Sequence, residues 1–161
     1  MQTAQSFQIT AIARPALAPD LFAQRYGVAL PKAMRDEAAG LSWDEFLDRY
    51  CPTTGMIALG QWTARPCGAG LWRYEATLDF DGRSTSFVET ATGPMSALTA
   101  MLHDSGAGVE ILDFHQFRAG AGMATVVHCE RDGRRHWAAA ITADAAESAL
   151  RAIVAAANIL S

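Results

Sequence analysis

The chain has 161 residues, 50% hydrophobic and 19% charged, with 17 acids against 13 bases and a formal net charge of -4. That length is enough for one domain to bury about 70% of its unfolded surface, so neither disulfides nor a metal ion are needed to hold it together. The acidic balance and the lack of a basic stripe interleaved with aromatics argue against nucleic acid as a partner.

Met1 to Ser6 has no basic region followed by an apolar one, so no signal peptide is expected there. No stretch approaches the ~18 uninterrupted apolar residues of a membrane helix. Cys51, Cys67 and Cys129 are odd in number, scattered and without a C-x-x-C, the pattern of free thiols in a reducing cytoplasm. Ser6 to Ala13 alternates weakly and reads as a short strand, ended by Pro15 and Pro19. Leu30-Pro31 opens a short helix, with proline at the first helical position, where its missing N–H costs nothing. Ser42-Trp43-Asp44-Glu45 is a capping box, and Trp43, Phe46, Leu47 and Tyr50 then fall on one apolar helical face that reads as a docking surface. Cys51-Pro52 stops that helix.

From Gly55 the hydrophobic period changes to two. Met56 to Thr63 is a strand, and Trp72, Tyr74, Ala76, Leu78 and Phe80 alternate with polar residues as in a strand with one buried face. Asp81-Gly82 is a two-residue hairpin turn of type I′, Ser84 to Ala91 is the returning strand, and Thr92-Gly93-Pro94 opens a helix carrying Met95, Leu98, Met101 and Leu102 on one side. The plan then repeats. Val109 to Phe114 and Met123 to Arg131 are strands, Asp132-Gly133 turns fifty-one positions after Asp81-Gly82, and Arg135 to Ile141 is the third strand. Asp144 and Glu147 form a variant capping box for a last helix with Leu150, Ile153, Val154 and Ala157 on its buried face. Gly120 and Gly122 read as a flexible connector. The first helix contains Ser-Ala-Leu-Thr-Ala-Met-Leu and the second Ser-Ala-Leu-Arg-Ala-Ile-Val, which points to an internal duplication. Neither half can bury its strands alone. The expected fold is α+β: two βββα units related by a pseudo-twofold axis across residues 53–161, preceded by a helical linker-like segment over residues 1–52.

No catalytic constellation is visible, and neither a metal nor a cofactor is implied. His103, His115, His128 and His136 lack H-x-H, H-x-x-x-H or H-E-x-x-H spacing. His128 and Cys129 are neighbours on a strand and point to opposite faces, which disfavours a shared ion or a thiolate-histidine pair. G-x-S-x-G, Walker A and G-x-G-x-x-G are absent. The helix start at Thr92-Gly93-Pro94 does have ligand-binding character, because its first backbone N–H groups are unpaired and carry the positive end of the dipole. Thr142 to Asp144 is the equivalent place in the second repeat.

Three stretches, Thr92-Gly93-Pro94-Met95-Ser96-Ala97-Leu98, Val109-Glu110-Ile111-Leu112-Asp113-Phe114 and Trp137 through Asn158, resemble the C-terminal regulatory domain of 2-isopropylmalate synthase, shared with citramalate synthase. Similarity extends more faintly to Tyr26 through Pro31 and Ser42 through Tyr50. The resemblance implies a leucine-sensing, dimerising domain of paired βββα units with a ligand pocket between them. Carried over by motif position, Gly93, Pro94, Met95 and Ser96 line that pocket from the first helix start. Ile111 and Phe114 come from the Ile-Leu-Asp-Phe strand, and Ile141 and Ala143 from the second helix start. Ala91 and Thr92 stand where the family usually has glycine and asparagine, so a methyl group occupies the backbone's approach to a ligand. The chain is too short to contain the synthase's metal-dependent catalytic barrel. It reads as an excised regulatory piece or a free-standing relative, with Met1 and the altered residues favouring the second. The leading expectation is a non-catalytic, homodimeric domain that binds a branched-chain amino acid and regulates a partner synthase in cis or in trans. The alternatives are an enzyme that reuses the pocket, with His115, His128 or Glu89 as acid or base, and a purely structural dimerisation module.

Overall fold

A computed structural model of the protein describes residues 19–161, so the strand expected over Ser6 to Ala13 lies outside the described residues. Three short helices come first: α1 (Leu21–Tyr26), α2 (Lys32–Glu37) and α3 (Trp43–Tyr50). Asp20 organises the first two. One carboxylate oxygen accepts from the backbone N–H of Phe22 (2.9 Å) and Ala23 (3.2 Å), and the other accepts from that of Leu30 (2.8 Å). Pro31 is the cap of α2 and not its first helical residue, because its extended ψ of 140° keeps it outside the helix. The capping box of α3 is complete: Ser42 Oγ accepts from Glu45 N–H (3.3 Å) and Glu45 accepts from Ser42 N–H (2.7 Å). That backbone bond, more than the side-chain one, holds the Glu45 carboxyl below its usual range.

The rest is two antiparallel three-stranded sheets, each followed by a helix. The first unit contains β1 (Ile57–Gly68), β2 (Leu71–Phe80), β3 (Arg83–Ala91) and α4 (Pro94–Asp104). The second contains β4 (Glu110–Ala119), β5 (Gly122–Arg131), β6 (Arg134–Thr142) and α5 (Ala145–Ile159). Both Asp-Gly turns have positive φ at both positions, 51° and 81° at Asp81-Gly82 and 52° and 77° at Asp132-Gly133, as a type I′ hairpin requires. β1 outruns the expected Met56 to Thr63 and passes through Pro66, which an edge strand tolerates because one side of its backbone needs no partner.

Gly120 and Gly122 are not a flexible connector. Ala119 pairs with Gly122 across a two-residue turn that closes the β4–β5 hairpin, with Gly120 at φ 63°. A Cβ on Gly122 would overlap the carbonyl oxygen of Thr142 on the neighbouring strand, so only glycine lets β5 and β6 come together there.

Two cores share the second sheet. On one face Val127, Cys129 and Ala138 join α5, α4 and the inner face of the first sheet (Leu59, Tyr74, Ala76, Leu78) in a single apolar cluster. On the other face Ala124, Val126, Trp137 and Ala139 pack against Phe22, Met34, Phe46 and Tyr50 of the helical segment. The aromatic stripe of α3 is therefore a docking face, as its spacing predicts. Among the described residues the corresponding outer face of the first sheet has no such cover: Arg73, Glu75 and Val88 on it are exposed. The two units are joined at the start of β1, where the Asn158 side-chain amide accepts from Ile57 N–H and donates to Ile57 C=O, both at 2.8 Å.

Because the helical segment shares a core with the second sheet, Phe46→Ala is expected to lower global stability by about 3–5 kcal/mol in one cooperative urea transition. Two separate transitions would show an independently folding appendage. Gly122→Ala is expected to cost about 1–3 kcal/mol in the same measurement, from strain against Thr142.

Candidate functional site

The two repeats can be aligned residue by residue. Trp62 lies opposite Ala76 in the first sheet and Phe114 opposite Val127 in the second, so the two aromatics are counterparts. Along the Ser-Ala-Leu helices, Met95 corresponds to Glu147 and Thr99 to Arg151. These equivalent places have opposite fates. Near α5 the Trp62 indole N–H donates to Glu147 (2.5 Å), and Glu147 also accepts from Arg151 Nε (2.5 Å), which closes the space between the helix start and β1. Glu147 is therefore committed to this contact and to Arg151. The α5 cap keeps the bond from Glu147 N–H to the Asp144 carboxylate (2.9 Å).

Near α4 none of these closing groups is present. Thr99 turns its hydroxyl back to the Met95 carbonyl (2.7 Å), and Phe114 remains 38% exposed. The result is an open groove of about 650 Å³ between α4 and the start of β4. Met95, Ala100, Val109 and Ile111 give it apolar walls, and Ser96, Thr99, His103 and Glu110 supply polar groups. Gly93 caps α4 with no side-chain bond, so the N–H groups of Met95 and Ser96, ahead of the first helical bond from Ala97 N–H to Gly93 C=O, are not used by the helix. A Cβ on Gly93 would meet nothing within 4 Å.

The second Ser-Ala-Leu serine is used differently. Ser148 is fully buried and shares a 2.7 Å hydrogen bond with Thr125, to which Gln116 Nε2 donates at 2.9 Å while also donating to Ala145 C=O at 2.7 Å. That network ties β4, β5 and the start of α5 together. Ser96, its counterpart, stays at the groove.

Of the candidate residues, Met95, Ser96 and Ile111 line this groove, and Phe114 faces the same side of its sheet as Ile111. Ala91 is partly buried against the core, Thr92 is exposed, and Pro94 lines a narrow crevice with Trp62 and Tyr74. Ala143 is exposed in the link to α5. Ile141 lies on the other face of the second sheet and lines a different cavity, of about 540 Å³, bounded by the end of α3, the start of β1, the end of β6 and the outer side of α5. Thr99, His103 and Glu110 escaped the sequence reading. The available signal was the i, i+4, i+8 spacing of Met95, Thr99 and His103, the outer stripe of α4.

The other polar candidates lie elsewhere. His115 contacts Asp113 at 3.0 Å, and that bond is the main cause holding the Asp113 carboxyl below its usual range. His128 stacks on Trp137 with ring centroids 4.6 Å apart. Both histidines are on the sheet face opposite α5, and neither they nor Glu89 lines the groove. Among the described residues no group of three or more His, Cys, Asp or Glu side chains is placed to hold a metal ion, and no helix is long and apolar enough to cross a membrane.

No model of a known protein family matches the chain. Individual proteins do. A 2-isopropylmalate synthase of Renibacterium salmoninarum is 29% identical over 133 residues, covering 75% of this chain and 23% of that protein. The chain is similar to part of a 2-isopropylmalate synthase. The same-named protein of Pseudarthrobacter chlorophenolicus is 30% identical over 126 residues (72% of this chain, 22% of its own), and that of Rhodospirillum rubrum 27% over 161 (84% and 29%). The chain thus spans about a quarter of the length of these synthases.

Burial pushes the thiols of Cys51 and Cys129 up to about 12, so both stay protonated at neutral pH and neither supplies a thiolate. In the native protein at pH 8 an aromatic disulfide reagent is expected to modify Cys67, which is exposed, quickly and the other two only on unfolding. Because those two thiols ionise more easily unfolded than folded, their contribution to stability is complete below about pH 9 and is lost as pH rises toward 12. A urea midpoint that rises over that window would contradict the assignment.

Proposed function

We propose that the two-repeat region is a non-catalytic regulatory and dimerisation domain of the 2-isopropylmalate synthase type, which binds a branched-chain amino acid, leucine first among them. The observation that carries this reading is the groove between α4 and β4: an apolar-walled space of about 650 Å³, open where the other repeat is closed by Trp62, Glu147 and Arg151. A branched aliphatic side chain suits Met95, Val109 and Ile111. The spare N–H groups of Met95 and Ser96 suit a carboxylate, and Glu110 suits an ammonium group. The similarity to proteins named 2-isopropylmalate synthase supports the same reading, with the synthase regulated in cis or in trans. Homodimerisation is supported by the edge strand β4, which carries the exposed Leu112 (39%) and Phe114 (38%), a surface that a second copy would cover.

Thermal unfolding with leucine, isoleucine, valine and alanine tests the ligand. At a hundred times its dissociation constant a ligand stabilises by about 2.7 kcal/mol, a rise of roughly 5–10 °C for a chain of this size. Leucine is expected to give that rise, alanine none, and Thr99→Trp, which fills the groove, to abolish it. Equal indifference to all four amino acids would overturn the reading.

A further inference from the structure

We propose that the cavity of about 540 Å³ between α3, β1, β6 and α5 is a second binding site, for a short alkyl carboxylate anchored by Arg151. It shares no lining residue with the groove beside α4. Leu47, Ile57, Leu59, Ile141 and Val154 give it an apolar wall of the size that holds a small branched chain. Arg151 is the only lysine or arginine among its lining residues. Its Nε is bonded to Glu147, while its two terminal nitrogens have no hydrogen-bond partner among the described residues and its side chain is about half exposed. A guanidinium with two unused terminal NH2 groups is suited to a carboxylate.

The rest of the lining narrows the ligand class. Glu147 already shares Arg151, and Asp48 lies in the same wall, so repulsion grows with every negative charge a ligand carries, and a monoanion that reaches the free guanidinium nitrogens is favoured over a dianion such as phosphate. The Asn158 amide is committed to Ile57, and the Cys51 thiol stays protonated, so neither competes as an anchor. A monocarboxylate with an apolar body satisfies what remains, and an α-ammonium group would add a contact to Asp48. The site lies where the helical segment meets the two-repeat core, so its occupancy would bind the two together.

The test is backbone and Arg side-chain amide NMR of the full 161-residue chain, titrated into the millimolar range with 4-methylpentanoate, 4-methyl-2-oxopentanoate or leucine. Saturable shifts are expected at Leu47 to Thr54, at Ala139 to Thr142 and at Arg151 Nε–H. Arg151→Met should weaken binding roughly tenfold or more, Arg151→Lys should retain part of it, and Thr99→Trp should leave these shifts in place. Binding of leucine but not of the two acids assigns the ammonium to Asp48, and binding of the acids alone excludes the zwitterion; either supports the site. Shifts confined to Met95 to Ile111 would overturn it while leaving the groove reading intact. So would the absence of saturable shifts around the cavity with all three probes, or binding there that Arg151→Met does not change.

Discussion

The structure depends on α5. A sheet with one apolar face has to bury that face against another element, and here a single helix supplies the cover that joins both sheets. Ala149, Ala152, Ala155, Ala156 and Ala157 are all buried, and their small side chains let α5 approach β5 and β6 closely. Leu150, Ile153 and Val154 fill the space shared with α4 and the first sheet. At its last turn Asn158 holds the start of β1 through two hydrogen bonds, and a Cβ on Gly55 would overlap that side chain. The strand, the turn before it and the helix are therefore positioned as one unit.

Once α5 is committed in this way, the two repeats cannot stay alike. The outer face of the second sheet is covered by the aromatic cluster of α1 and α3, where Phe22 contacts Tyr26, Trp43, Phe46 and Phe117 with centroids 5.3–5.6 Å apart. The matching face of the first sheet carries mostly charged and hydroxyl side chains, with Val88 exposed among them. The same divergence separates the two helix starts. Glu147 and Arg151 make a polar closure with Trp62, whereas Met95 and Thr99 leave a groove, and Phe114 stays exposed on the same sheet face as Ile111. The two units share one frame, and differences at three paired positions leave one closed and the other open.

Much of this was legible in the sequence because it depends on local chemistry. The Asp-Gly pairs at 81–82 and 132–133 specify type I′ turns through the φ values those residues accept, the Ser42 capping box needs only residues three apart, and the alternation of β2 marks its buried face directly. The Gly120–Gly122 stretch failed for a specific reason. Glycines beside alanines look permissive in isolation, and the need for Gly122 comes from a carbonyl on β6, some twenty positions away in the chain. The candidate site was legible in part: Met95, Ser96 and Ile111 meet at one groove, but Ile141 does not join them, because its strand β6 forms the edge of the second sheet opposite β4.

The sequence by itself determined most of the elements from α2 onward, their order and the repeat of the βββα plan, since turn, cap and periodicity signals act within a few residues of each other; α1 and the full length of β1 were not legible there. Only the tertiary structure decided which repeat stays open. The closure at α5 depends on Trp62 reaching Glu147 across 85 positions of chain, and the second cavity exists because α3 and the edges of β1 and β6 converge beside Arg151. Contacts of that kind leave no periodic trace. They follow from packing geometry, which no stretch of sequence contains on its own.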